Sequence, residues 1–161
     1  MSRIDDALRD GALTWKAGSD DQWELHGDGD VLGRLQDDLV TLDGRRLELR
    51  HGRGYTTLVD AGLGSRLGSL RIMAHGAGHV TLASTRARIT KRGVGPFKWE
   101  VTDDLSGPQL LDLTTFASRL RIKPGSALAE HDVPVGVLVV FCALVVLEPL
   151  RARAVADSPA A

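Results

Sequence analysis

A run of apolar residues near the C-terminal end, VPVGVLVVFCALVVL at positions 133–147, constrains this chain more than any other feature. A transmembrane helix needs about 20 apolar residues to cross about 30 Å of hydrocarbon. As a helix, this run would be only about 22 Å long. A helix that is apolar on every face must be surrounded on every face. We therefore expect the run to fill the interior of the folded domain.

The residues that flank the run favour a helix from about 132 to 148. Asp132 is of the type that caps a helix N-terminus, and Pro134 would fall in the first turn, where a missing N–H costs nothing. Pro149 limits the far end. The many valines favour a strand instead. However, a strand of this length would be unusually long, so the helix is the better interpretation.

The part of the chain before this helix has the pattern of short strands. Between Leu13 and Lys123, alternating or apolar segments are separated by turns rich in Gly and Asp, and we count about twelve of them. No helical segment of the length needed for parallel pairing lies between them. The sequence therefore predicts a mainly β fold, an antiparallel closed barrel of about twelve strands around the buried C-terminal α-helix.

Composition is consistent with one globular domain, since 43% of the 161 residues are hydrophobic and 25% are charged. We assign 1–11 to an N-terminal extension, 12–150 to the barrel domain and 151–161 to a disordered tail. The net charge of −1 argues against nucleic acid as a partner. Cys142 is the only cysteine, which excludes an intramolecular disulfide. The start of the chain has no apolar signal-peptide region, so we expect a cytoplasmic protein.

The spaced strands, with DQWEL and FKWEV among them, and the closing segment HDVPVGVLVVFCALVVLEPL resemble the tubby C-terminal-like superfamily. That group includes tubby proteins, phospholipid scramblases and the LURP-one-related family. The resemblance covers roughly residues 12–150 and rests on architecture rather than on an invariant motif. It implies a non-enzymatic binding or scaffold module that engages anionic phospholipid head groups or a protein partner.

Two alternatives remain open from the sequence. A scramblase-like protein would act on lipids at the membrane. However, the region that matches the scramblase calcium segment holds only Glu130 and Asp132, which puts calcium activation in doubt. The apolar run could also be a tail anchor, because it lies near the C-terminus and a basic segment follows it. In that case the barrel would lack its filling, and we expect no transmembrane span.

Three motifs that could bind ligands fit turns better. HGAGH at 75–79 contains two glycines that disfavour a helical metal site, and no acidic residue adjoins it. GLGSRLG at 62–68 is followed by a strand, whereas a phosphate loop needs a helix N-terminus. GDGD at 27–30 lacks the remaining calcium ligands. With no recognisable catalytic constellation either, we expect no enzyme activity, metal site or cofactor.

Two strands carry the candidate binding residues. In each strand, basic side chains alternate with apolar ones, so three cations share the outer face. Such a row can bind phosphate groups, although a solvated surface is the common alternative. The candidates for anion or lipid binding are Arg86, Arg88 and Arg92 in one strand and Arg119, Arg121 and Lys123 in the other.

Overall fold

In a computed structural model, which describes residues 3–83, 85–93, 97–103 and 107–149, the chain forms a closed antiparallel barrel. The first strands are β1 (Leu13–Ala17), β2 (Trp23–Gly27), β3 (Asp30–Gln36), β4 (Leu39–Leu42), β5 (Arg45–His51) and β6 (Thr56–Asp60). They are followed by β7 (Arg66–Ile72), β8 (Gly78–Leu82), β9 (Arg86–Lys91), β10 (Lys98–Asp103), β11 (Gln109–Phe116) and β12 (Arg119–Pro124). The prediction of a closed barrel of about twelve strands is confirmed.

Each strand pairs with its neighbour in sequence, and β1 pairs with β12 to close the ring. In the closing pair, Leu13 lies opposite Ile122 and Trp15 lies opposite Leu120. The four side chains are fully buried, so the seam of the barrel is also part of its core. Because the ring is closed, the sheet has no unpaired edge strand.

Alternation along each strand separates an apolar inner face from a polar outer face. In β9, for example, Ala87 and Ile89 are buried, and the residues between and beside them face outward.

Tight turns join the strands. In the turn between β4 and β5, Asp43 has a φ of 49° and Gly44 a φ of 78°. Both values are positive, as the type I′ turn expected for an Asp-Gly hairpin requires.

The apolar run fills the barrel. Helix α2 (Val135–Cys142) continues as a π-helical segment, Ala143–Leu147, and apart from Gly136 and Leu144 its residues are buried. The indole Nε1–H of Trp15 donates a hydrogen bond to the Val139 carbonyl at 3.0 Å, which ties the wall to the helix. No helix in the described ranges is long and apolar enough to cross a membrane.

The helix begins later than the sequence predicts. Pro134 is the N-cap residue, and no side chain caps the helix, so the prediction of a start at Asp132 with a carboxylate cap is wrong. The N–H groups of Val137 and Leu138 instead bond to the Pro134 carbonyl at 3.1 and 3.2 Å. Pro134 therefore stands directly before the first helical residue, Val135, and not inside the first turn as the sequence predicts.

The segment assigned to an N-terminal extension contains a helix, α1 (Arg3–Asp10). Ile4, Ala7 and Leu8 are buried and belong to the same hydrophobic core as the barrel. The helix lies at the end of the barrel where α2 begins, and this end is called the N-terminal rim below. The opposite end, which Leu144 and Glu148 approach, is called the C-terminal rim. The proposed tail, 151–161, lies outside the described residues.

Candidate anion-binding groove

A groove of about 480 Å³ runs along the outer wall of the barrel across strands β7, β8 and β9. Its walls carry four arginines, one histidine, one tyrosine and two hydroxyl side chains, and no carboxylate. These polar lining residues are Arg66, Arg71, Arg86, Arg88, His79, Tyr55, Ser69 and Thr81. We call this surface the arginine groove.

Strand register explains why these side chains meet. Arg71 of β7 lies opposite His79 of β8, which in turn lies opposite Arg88 of β9. One step along the barrel, Ser69 lies opposite Thr81, which lies opposite Arg86. Neighbouring strands are about 4.8 Å apart, so each row places its side chains within reach of one small anion. The groove is therefore built from two parallel rows that cross three strands.

The four groove arginines have no acidic partner among the residues that the structure describes. None of the ion pairs among the described residues involves Arg66, Arg71, Arg86 or Arg88. Elsewhere on the wall, several arginines are paired, as Arg45 is with Asp60 at 2.7 Å. Four unpaired guanidinium groups along one concave surface create a local positive potential despite the small net charge of the chain. Such a surface attracts an anion.

The structure separates the six predicted candidates. Arg86 and Arg88 line the arginine groove. The other four lie outside it. Arg92 directly follows β9 but does not line the groove. Arg119, Arg121 and Lys123 are on β12, which β10 and β11 separate from β9 in the ring.

The surface between the two predicted strands carries acidic groups. Arg92 lies 3.9 Å from the Asp112 carboxylate, and Lys123 is the cross-strand partner of the same residue. Glu100 lies opposite Asp112 on the outer face. This second basic area is therefore partly neutralised, which makes it a weaker anion site than the groove.

Sequence reasoning missed Arg66, Arg71, His79 and Tyr55. Two of these are predictable as outward-facing residues, because Arg71 and His79 occupy outward positions in the alternation of apolar and polar residues along β7 and β8. A pattern of several alternating cations within one strand does not include them. The groove instead takes one or two cations from each strand, and only the register shows that they share a row.

The HGAGH motif lies in a turn between two strands. HGAGH closes the hairpin between β7 and β8, where the Met73 N–H bonds to the Ala77 carbonyl at 2.8 Å and Gly76 has a φ of 90°. His75 and His79 therefore belong to a turn and a strand, as expected. Over the described ranges, no group of three or more His, Cys, Asp and Glu side chains is placed to hold a metal ion.

Comparison with known proteins finds no similar family, since no family model, no curated protein and no solved structure matches this chain.

Proposed function

We propose that this protein is a non-enzymatic binding module that holds a phosphate-bearing anion in the arginine groove. The observation that carries the proposal is the convergence of four arginines on one concave surface whose described lining residues include no carboxylate. Guanidinium groups donate two parallel hydrogen bonds to phosphate oxygens, and these charge-assisted bonds are stronger than neutral ones. The hydroxyl groups of Ser69, Thr81 and Tyr55 are additional donors around the same space.

The size of the groove indicates the class of ligand. Its volume of about 480 Å³ lies within the usual range of pockets for organic ligands. A single inorganic phosphate would leave most of it empty. We therefore propose an organic anion with more than one negative group, in which the row of Arg71, His79 and Arg88 binds one of them. Arg66 and Arg86 would bind another.

We further propose that the chain is a tubby-like or LURP-one-related protein. The support for this is architectural: twelve antiparallel strands close around one apolar C-terminal helix. On this proposal, the protein is cytoplasmic and peripheral to the membrane, and the groove anion belongs to an anionic phospholipid or to a protein partner.

Isothermal titration with inorganic pyrophosphate tests the groove. We expect the wild type to bind pyrophosphate and the double variant Arg71→Gln/Arg88→Gln to bind it at least about a hundredfold more weakly. Each lost hydrogen bond to a charged group is worth about 1.5–3 kcal/mol, and about 1.4 kcal/mol is a tenfold change in affinity. Glutamine keeps much of the side-chain length, so the wall of the barrel should remain intact.

The matched control is Arg119→Gln/Arg121→Gln, which removes two exposed arginines from β12 outside the groove. This variant has the same change in net charge, and we expect it to bind pyrophosphate almost as the wild type does. Equal losses of pyrophosphate affinity in both double variants would show that only the overall charge of the protein matters for binding. That outcome would refute the groove as a site.

A further inference from the structure

The C-terminal rim carries exposed apolar side chains on four consecutive hairpins. Six hairpins form this rim, because alternate strand connections lie at the same end of an antiparallel barrel. The hairpins β5–β6, β7–β8, β9–β10 and β11–β12 each bring one large apolar side chain to the surface. These are Tyr55, Ile72, Phe97 and Phe116, whose exposed fractions are 46%, 51%, 61% and 47%.

Three of these four hairpins are basic. Arg53, Arg92 and Arg119 lie in them or directly beside them, the β7–β8 hairpin carries His75 instead, and all four side chains are exposed. Among the described residues of these hairpins, between the last residue of one strand and the first of the next, there is no carboxylate. We call this part of the rim the apolar-basic arc.

The remaining two hairpins of the rim have the opposite character. The β1–β2 hairpin carries Asp20 and Asp21, and the β3–β4 hairpin carries Asp37 and Asp38. Leu39 is exposed here, but it stands beside acidic groups. The acidic hairpin residues of the rim thus lie on two hairpins, and the apolar-basic residues lie on the other four. Ile72 also lines a pocket with Asp37, Asp38 and Glu148.

Phe97 and Phe116 lie close together at the centre of the basic region. The Thr115 N–H donates to the Phe97 carbonyl at 2.8 Å, so Phe116 is one residue away from this bond. Phe116 lies directly opposite Arg119. On the other side of Phe97, the Arg92 N–H donates to the Lys98 carbonyl at 2.8 Å. Two exposed aromatic rings therefore have basic residues on both sides, although Arg92 is also paired with Asp112 at 3.9 Å.

We infer that the apolar-basic arc is a docking surface for an anionic lipid bilayer. The apolar side chains stand on separate hairpins around a curved rim, so a fluid surface can accept each of them without matching a rigid shape. Aromatic rings are favoured at the boundary between head groups and acyl chains. Cations beside them are attracted to anionic lipid. This surface uses different side chains from those proposed to hold the groove anion, apart from Tyr55.

Vesicle sedimentation tests the inference, with vesicles made of equal parts of phosphatidylcholine and phosphatidylglycerol. We expect the wild type to sediment with these vesicles and the variant Phe97→Ser/Phe116→Ser to partition at least about tenfold more weakly. The control is Leu63→Ser, because Leu63 is 83% exposed and stands on the β6–β7 hairpin at the opposite rim. Removing this side chain should leave sedimentation unchanged.

Fluorescence provides a second readout that does not depend on a loss of binding. In Phe97→Trp, the new indole should shift its emission to shorter wavelength when these vesicles are added, whereas in Leu63→Trp it should not. The three native tryptophans are buried and contribute a constant background. Unchanged sedimentation of the Phe97→Ser/Phe116→Ser variant, equal shifts for the two tryptophan variants, or recruitment of a protein partner without vesicle binding would each overturn the inference.

The experiments distinguish a failure of the groove proposal from a failure of the inference about the apolar-basic arc. If the Phe97→Ser/Phe116→Ser variant keeps wild-type affinity for pyrophosphate while it loses vesicle binding, the arc is the membrane contact and the groove proposal is unaffected. If the wild type binds vesicles but not pyrophosphate, the groove proposal fails and the inference about the arc stands.

Discussion

At the scale of single residues, Asp60 organises the hairpin between β6 and β7. Its carboxylate accepts hydrogen bonds from Arg45 at 2.7 Å, from the Gly62 N–H at 2.9 Å and from the Leu63 N–H at 3.0 Å. The bond from the Arg45 guanidinium is the largest of the effects that hold the pKa of Asp60 below its ordinary value of 3.8. The carboxylate is therefore more stable in its charged form in the folded protein than in the unfolded chain.

This shift predicts a dependence of stability on pH. Since the folded pKa is the lower one, the stabilisation is fully present above the unfolded pKa of about 4 and is lost as the pH falls through the folded value. Urea unfolding below about pH 4 should therefore show a steeper loss of stability in the wild type than in Asp60→Asn. Asp132→Asn, which replaces an exposed aspartate outside any strand, should keep the wild-type slope. Identical slopes for the wild type and Asp60→Asn would contradict this account.

At the scale of the elements, the close fit of the central helix to the wall depends on specific contacts. A Cβ on Gly78 of β8 would lie 2.6 Å from the Val145 Cγ2 atom, so only glycine allows the helix to approach the wall there. On the opposite side of the ring, Trp15 donates its hydrogen bond to the Val139 carbonyl. The helix is thus positioned both by close packing and by one directed polar contact.

Two tryptophans allow this polar contact to be measured. Trp15→Phe removes the buried hydrogen bond to the helix and should lower the free energy of unfolding by about 1–3 kcal/mol beyond the loss of ring contacts. Trp23→Phe is the matched control, because Trp23 is also buried but its Nε1 atom has no hydrogen-bond partner among the described residues. Chemical denaturation of both variants gives the comparison. An equal or smaller loss for Trp15→Phe would show that the bond contributes little.

At the scale of the whole molecule, the helix and the ring form one core. Cys142 is fully buried at its centre, and burial raises the pKa of its thiol. A thiol reagent reacts with the thiolate, so Cys142 should react only when the barrel opens. We expect its labelling rate to follow the global unfolding equilibrium as urea is added. Fast labelling in the absence of urea would mean that the helix leaves the barrel without unfolding of the ring.

Much of this architecture is predictable from the sequence, because two strong patterns carry it. The length of the apolar run excludes a simple membrane span, and the alternation in segments such as RARITKR separates the two faces of each strand. The sequence predicts a helix start at Asp132 because aspartate is a common cap residue. In the structure, the first N–H groups of the helix bond to the Pro134 carbonyl instead. Residue type alone cannot distinguish a helix capped by the Asp132 side chain from a helix that begins after Pro134.

The candidate site was less predictable than the fold. Arg86 and Arg88 stood out because they lie two residues apart in one strand. Arg71 and His79 join them only through pairing across β7, β8 and β9, and the sequence does not state which residues are opposite each other. Single-strand patterns therefore reveal half of the groove arginines. The other half depend on register, which the turns and the packing of the whole ring determine.

The position of the apolar run along the chain has a consequence for synthesis. The ribosome releases all twelve strands before the helix that fills them, and the pairing of β1 with β12 joins the two ends of the strand region. Until the helix emerges, the inner faces of the strands have nothing to pack against and are prone to aggregate. Pairing over such long sequence separation is also slow. We therefore expect the fold to stay incomplete until residues 135–147 emerge, with the nascent strands dependent on chaperones up to that point.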